Sequence, residues 1–250
     1  MRKYGLIGYP LGHSFSKKYF SEKFINDQIL GCVYQNYPLK DINQLPSLIE
    51  EEPNLYGLNV TIPHKSEVLR FLDSIDNEAA EIGAVNVIKI KRSGNNIVLA
   101  GFNSDITGIK VSIEPYFNDG LKHAMVLGTG GSSRSVCYVL KSLGLLVTQV
   151  SRERREGVIT YSDIKPALLA HTDLIVNTTP LGMYPANDGK PDLRYSLLSK
   201  KQILFDLVYN PELTAFLKSG LQQGCKVITG LKMLHSQAER AWEIWNDDNL

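Results

Sequence analysis

Ala124-Met125-Val126-Leu127-Gly128-Thr129-Gly130-Gly131-Ser132-Ser133-Arg134, followed by an apolar helical pattern from Val136 to Leu143, decides the fold. Ala124 to Leu127 reads as a short buried strand. A glycine-rich loop between such a strand and a helix is the setting in which this kind of motif carries weight. The glycines let backbone approach a pyrophosphate, and the N-terminus of the following helix meets its charge. Ser133 stands where the third glycine of G-x-G-x-x-G would be, which predicts a helix packed slightly farther from the sheet. From Lys122 onward strand and helix patterns alternate, with strands at Leu145–Val150, Leu174–Asn177, Ile203–Val208 and Lys226–Thr229 and a helix at Thr214–Gln223. Alternation of this kind is the signature of a parallel sheet.

Leu145–Val150 runs into Ser151-Arg152-Glu153-Arg154-Arg155. In a dinucleotide fold the end of the second strand meets the adenosine ribose, where an acid favours a free 2′-hydroxyl and an arginine favours a 2′-phosphate. Ser151 takes the acid's place and Arg152 follows, so NADP is expected rather than NAD. Glu153 opposes that reading, and a solvated run of charge is the bland alternative for all five residues. Thr178 to Met183 forms a small-residue loop on the cofactor side, and Asp206 to Pro211 leaves another strand end. Gly230 opens the final helix, which reaches about Trp245. Its apolar stripe is Leu231, Leu234, Ala238, Ala241 and Trp245, and Gln237 borders it for no packing reason.

Upstream of the glycine loop, Gly101-Phe102-Asn103-Ser104-Asp105 leaves a strand that pairs through the turn Ser93-Gly94-Asn95-Asn96 with the strand after Gly83-Ala84-Val85-Asn86. Asp105 sits just past a strand end, where a carboxylate serves equally well as a helix cap or dipole partner. Before it comes Asn59-Val60-Thr61-Ile62-Pro63-His64-Lys65, the candidate centre of the chemistry. Leu55 to Val60 reads as a buried strand, Pro63 forbids its continuation, and a helix is expected from near Lys65 to Leu72. An amide, a hydroxyl and an ammonium gathered there suit a ligand carrying hydroxyls and a negative charge. A solvated lysine at a helix start is the alternative. At the front, Tyr4 to Gly8 makes a strand, and Gly8 to Ser16 a turn rich in glycine and hydroxyls. Phe20, Phe24, Ile25 and Gln28 recur at helical spacing after it. Ser14 and Ser16 either hold a carboxylate or, in the case of Ser16, cap that helix. Cys32–Pro38 is a second strand, Leu45–Glu51 a short helix and Asp76–Ile82 another.

Bulk properties exclude several classes of function. At 250 residues the chain makes one large domain or two modest ones, with 43% hydrophobic and 21% charged residues. A net charge of +1 gives no reason to expect nucleic acid or a membrane surface as a partner. The apolar run after Met1-Arg2-Lys3 is broken by Gly5, Gly8 and Pro10, so a signal peptide or spanning helix is not expected. Cys32, Cys137 and Cys225 are odd in number and scattered, against a disulfide framework or a metal site and in keeping with a cytoplasmic protein.

Eight separated motifs in one order resemble the shikimate dehydrogenase family: Gly8–Ser16, Asn59–Lys65, Gly83–Asn86, Gly101–Asp105, Gly128–Arg134, Asn177–Met183, Asp206–Tyr209 and Gly230–Gln237. They span nearly the whole chain. The resemblance implies an α/β protein with a substrate-binding domain, 1–104 and 230–250, reached again by the C-terminal helix. Between these lies a Rossmann-like NADP-binding domain of parallel strands, 105–229. It implies reversible NADPH-dependent reduction of 3-dehydroshikimate to shikimate, by a monomer or homodimer whose partner is a small molecule. Residue by residue, it places Ser14, Ser16 and Thr61 at the substrate carboxylate with Tyr209 nearby, and Asn59, Asn86, Asp105 and Gln237 at the hydroxyls. Lys65 becomes the acid/base, with Asp105 as its catalytic companion. Gly128, Thr129, Gly130, Gly131 and Ser132 take the pyrophosphate, Ser151 and Arg152 the adenosine end, and Leu207 and Gly230 lie beside the nicotinamide. Departures from the family pattern are Lys17 for proline, Val87 and Ser104 for threonine, and Ser151 and Glu153 around Arg152.

Reduction of a carbonyl leaves charge on its oxygen, which a protonated lysine neutralises and quenches. Two other readings stay open: a dehydrogenase for quinate or an amino analogue, with NAD or NADP, and a non-catalytic sensor that keeps the cofactor fold. Retention of both Lys65 and Asp105 counts against the sensor.

Overall fold

Tyr4 to Gly8 are buried without a break, as a strand with a core on both faces must be. Around that strand the computed structural model, which describes residues 1–12, 15–94, 96–247 and 249, builds the first of two compact units. This unit comprises 1–104 and 238–250, and the second comprises 105–237.

The first unit runs β1 (Arg2–Gly8), α1 (Phe15–Asn26), β2 (Cys32–Pro38), α2 (Leu45–Glu51), β3 (Leu55–Val60), β4 (Ser74–Ile75), α3 (Asn77–Ile82), β5 (Val87–Ser93) and β6 (Asn96–Phe102). Its sheet has the order β2-β1-β3-β5-β6-β4. The strands β1, β2 and β3 are parallel, and the hairpin β5–β6 is added antiparallel to β3. Alternation along β1 sorts its residues between two cores. Ile7 packs with Leu45, Leu58 and Ile88 on one face, while Tyr4 and Leu6 meet Phe20, Phe24, Tyr34 and Trp245 on the other. In α1 the expected apolar stripe is narrower than its spacing suggests, because Ile25 is 76% exposed.

The expected helix from Lys65 to Leu72 is instead a 3-10 segment, Glu67–Phe71. The carbonyl of Lys65 accepts from the N–H of Val85 at 2.8 Å, so this backbone is tied to the segment entering β5 and its carbonyl does not start a helical ladder.

The second unit runs α4 (Asp105–Ile113), β7 (His123–Leu127), α5 (Gly131–Ser142), β8 (Leu146–Ser151), β9 (Val158–Thr160), α6 (Pro166–His171), β10 (Leu174–Asn177), β11 (Ile203–Asp206), α7 (Ala215–Gln222), β12 (Lys226–Ile228) and α8 (Gly230–Asn246). All its strands are parallel, in the order β12-β11-β10-β7-β8-β9. The order reverses between β7 and β10, and an open sheet of this kind receives ligands beyond the strand ends at that point. Alternation of strand and helix fails twice. The charged run 152–157 carries no apolar stripe and leads straight into β9, while between β10 and β11 Pro180, Gly182, Pro185, Gly189 and Pro191 prevent a helix. α8 is continuous, with 230–237 in the second unit and 238–246 in the first.

Candidate active site

In the first unit the candidate residues collect where β3 ends beside the start of β5. Antiparallel register sets Asn59 opposite Val87, and the N–H of Val60 donates to the Asn86 carbonyl at 2.8 Å. Asn59 and Asn86 are both buried, and Thr61 and Lys65 are half-buried. The turn between them is pinned from several sides. Thr61 N–H donates to Ile7, and His64 N–H donates to Thr61. The buried His64 ring places Nε2 2.8 Å from the Leu39 carbonyl and Nδ1 2.9 Å from Glu67. Lys65 is therefore carried on a rigid turn.

Asn86 also has a role that its sequence context does not reveal. Its Oδ1 accepts from Ser104 N–H at 2.7 Å and its Nδ2 donates to Ser104 Oγ at 3.0 Å, which fixes the backbone immediately before Asp105. Ser16 lies inside α1, and a cap must precede the first helical residue, so the capping alternative does not fit it. Its hydroxyl lies near that of Tyr34, which donates to Asn59 Oδ1 at 2.8 Å. Ser14 lies outside the described residues.

In the second unit the glycine loop closes the end of β7 against the end of β10. Gly128 has φ +117°, and a Cβ there would lie 2.5 Å from Thr178 Oγ1, so no side chain fits. A Cβ on Gly130 would meet nothing within 4 Å. Gly130, which precedes α5, makes no side-chain cap, and the N-terminus of that helix is the end that favours an anion. These features fit a pyrophosphate in the cradle from Gly128 through Thr129 to Ser132. Ser133, in the place of the third glycine, is fully buried. It donates to the Gly128 carbonyl at 2.7 Å and accepts from Gln149 at 2.9 Å, so its hydroxyl ties helix to loop where the sequence suggested looser packing.

At the end of β8 the Ser151 hydroxyl donates to the Glu153 carbonyl and accepts the Glu153 N–H, so it shapes the turn. The three arginines separate. Arg154 holds Asp163 with both contacts at 2.7 Å, and Arg155 lies 3.6 Å from Glu153. Arg152 is exposed and makes no ion pair among the described residues.

The sequence gives no role to a third group. Asp206, at the end of β11, is wholly buried and accepts from Thr214 Oγ1 at 2.6 Å, Asn177 Nδ2 at 2.9 Å and Val208 N–H at 3.0 Å. Burial pushes its carboxyl up to about 6, against these hydrogen bonds, which pull it down. The network joins the ends of β10 and β11 to the cap of α7. Its backbone packs on α8, since a Cβ on Gly230 would lie 2.7 Å from the Leu207 carbonyl. Leu207 and Tyr209 follow on this loop, half-buried, as is Gln237 farther along α8. Asp105 is buried at the start of α4. An equivalent strand-end position for Asn177 and Asp206 was the available signal. Among the described residues no cluster of His, Cys, Asp and Glu could hold a metal ion.

A parallel sheet in Rossmann order, with a glycine loop at its switch point and a cluster of lysine, amides and hydroxyl in the companion unit, defines a dinucleotide-dependent oxidoreductase. The family model for the shikimate dehydrogenase substrate binding domain matches residues 6–88. A shikimate dehydrogenase (NADP(+)) of Methanococcus aeolicus is 38% identical, with 96% of this chain and 90% of the relative covered. The crystal structure of shikimate 5-dehydrogenase from Thermus thermophilus in complex with NADP(H) and shikimate has a TM-score of 0.84 at 29% identity, covering 98% of this chain and 94% of that one. Quinate dehydrogenase from Corynebacterium glutamicum in complex with NAD reaches 0.85 at 26% identity, covering 98% and 93%. The chain belongs to the shikimate dehydrogenase family.

Proposed function

We propose that the protein catalyses the reversible NADPH-dependent reduction of 3-dehydroshikimate to shikimate, a step of aromatic amino acid biosynthesis. The observation that carries this reading is the placing of Asn59, Thr61, Lys65 and Asn86 on one set of pinned strand ends, in a chain whose relatives are NADP-dependent shikimate dehydrogenases. Residues 1–104 and 230–250 act as the substrate domain and 105–229 as the NADP domain. Bound NADPH supplies the hydride. Lys65 gives its proton to the carbonyl oxygen as charge develops there and takes it back in the oxidative direction. Asp105 orients the Lys65 ammonium and a substrate hydroxyl, and Asn59, Asn86 and Gln237 hold hydroxyls. Ser14, Ser16 and Thr61 hold the carboxylate, with Tyr209 beside it. Gly128 to Ser132 cradle the pyrophosphate, Ser151 and Arg152 receive the adenosine end, and Leu207 and Gly230 line the nicotinamide.

No helix among the described residues is long and apolar enough to cross a membrane. We place the protein in the cytoplasm, acting on a small molecule alone as a monomer or homodimer. Its three cysteines are free. The deciding experiment is shikimate oxidation with NADP and with NAD, repeated with quinate. NADP-dependent turnover of shikimate is expected. A preference for quinate with NAD is the second reading, in which Glu153 next to Arg152 favours the cofactor part, and inactivity on every combination would leave only a cofactor-binding sensor.

A further inference from the structure

We propose that Tyr34 is a positioning residue of the substrate site: its hydroxyl locks the side-chain amide of Asn59 so that an N–H, and never the carbonyl oxygen, is offered to the ligand. The inference deepens the functional reading, since it rests on Asn59 being a substrate contact. Tyr34 sits on β2, 1% exposed, with its ring stacked on Phe20 at 4.7 Å and 14°. Its hydroxyl donates to Asn59 Oδ1 at 2.8 Å. On the other side Asn59 Nδ2 faces the Asn86 carbonyl at 3.4 Å. Turning the amide over would set Oδ1 against that carbonyl, two acceptors facing each other, and would oblige the phenol to accept from Nδ2 and give up its bond to Oδ1.

Burial drives the Tyr34 pKa far upward, so the phenol keeps its proton throughout the working range. Both constraints act in the same sense. The second Nδ2 hydrogen of Asn59 has no partner among the described residues. The ligand atom that meets it must accept a hydrogen bond. A hydroxyl or ether oxygen does so and an ammonium does not, so Tyr34 sets specificity from a position that touches no ligand.

Tyr34→Phe removes the hydroxyl and keeps the stacked ring. The KM for shikimate should rise about tenfold, the scale of one lost buried hydrogen bond, while kcat and the KM for NADP stay within about twofold. In an Asn59→Ala background the same change should add less than about twofold, because there is no amide left to orient. An unchanged KM in Tyr34→Phe, with or without a lower melting temperature, overturns the proposal. So does an undiminished tenfold effect in the Asn59→Ala background. Shikimate oxidation by the native protein is the control for the functional reading. If that fails, nitrogen-15 spectra of the ligand-free protein still decide the orientation: Tyr34→Phe should shift the Asn59 side-chain amide signals and leave those of Asn103 in place. Unmoved Asn59 signals overturn the proposal whatever the substrate.

Discussion

Lys65 shows how a single residue can be tested apart from its scaffold. Its carbonyl is fixed to Val85 and the turn before it is pinned by His64, so truncating its side chain leaves the turn intact. In Lys65→Ala, turnover should fall by at least ~10²-fold and the KM for shikimate change far less. Near-normal turnover, in a preparation free of native enzyme, would remove Lys65 from the chemistry. Asp206 makes a prediction about pH. Between its ordinary 3.8 and about 6 the folded protein holds a proton that the unfolded chain has released. Its contribution to stability therefore falls as pH rises through that window and is level above it. Asp206→Asn has no such proton, so its deficit relative to the native protein should be largest near pH 4. Above pH 6 that deficit should have shrunk by about 3 kcal/mol, as denaturant melts across the window would show. A deficit independent of pH would mean that the carboxyl is not raised. The position of Lys65 beyond a strand end was legible because Pro63 marks the end of that strand, and that of Arg152 because it follows one. Tyr34 and Asp206 were not. A tyrosine in a strand reads as core, and a buried carboxylate is recognised only through partners distant in sequence, here Asn177 and Thr214.

Among the elements, those governed by local apolar pattern lie at their expected bounds: β2 at Cys32–Pro38, α2 at Leu45–Glu51, β3 at Leu55–Val60 and β10 at Leu174–Asn177. Those governed by tertiary hydrogen bonds do not, as the 3-10 segment after Lys65 shows. Two elements offer tests. Gly57 in β3 lies under Trp245 of α8, and a Cβ there would fall 2.3 Å from the indole nitrogen, which donates to the Ile88 carbonyl at 3.0 Å. Gly57→Ala should destabilise the protein by about 1–3 kcal/mol, the usual cost of overpacking, measured by chemical denaturation. An unaltered midpoint would mean that α8 yields without loss. The turn after β8 offers the other. Loss of a charge-assisted bond in Arg152→Ala should weaken NADP roughly ten- to a hundredfold and leave NAD almost untouched. Glu153 already has Arg155 at 3.6 Å, so Glu153→Thr should tighten NADP only modestly and less as salt rises. An unmoved ratio of specificity constants in Arg152→Ala would make the run a solvated surface.

For the molecule as a whole, α8 matters most. Trp245 stacks on Tyr4 at 4.9 Å and lies 5.4 Å from Phe20, while Lys23 on α1 holds both carboxylate oxygens of Glu239 at 3.1 and 2.9 Å. A chain ending at residue 237 should leave Tyr4, Phe20 and Phe24 uncovered, bind a hydrophobic dye and melt well below the native protein. Equal melting would show that 238–246 is dispensable to the first core. The same arrangement sets an order of events during translation. The sheet of the second unit is complete once residue 228 has emerged, whereas the first unit, although made earlier, lacks one wall until residue 245 follows. At ordinary elongation rates the ribosome takes on the order of ten seconds to cross 105–237. For that interval the oldest part of the nascent protein carries an open aromatic surface, and a holding chaperone has its longest task there.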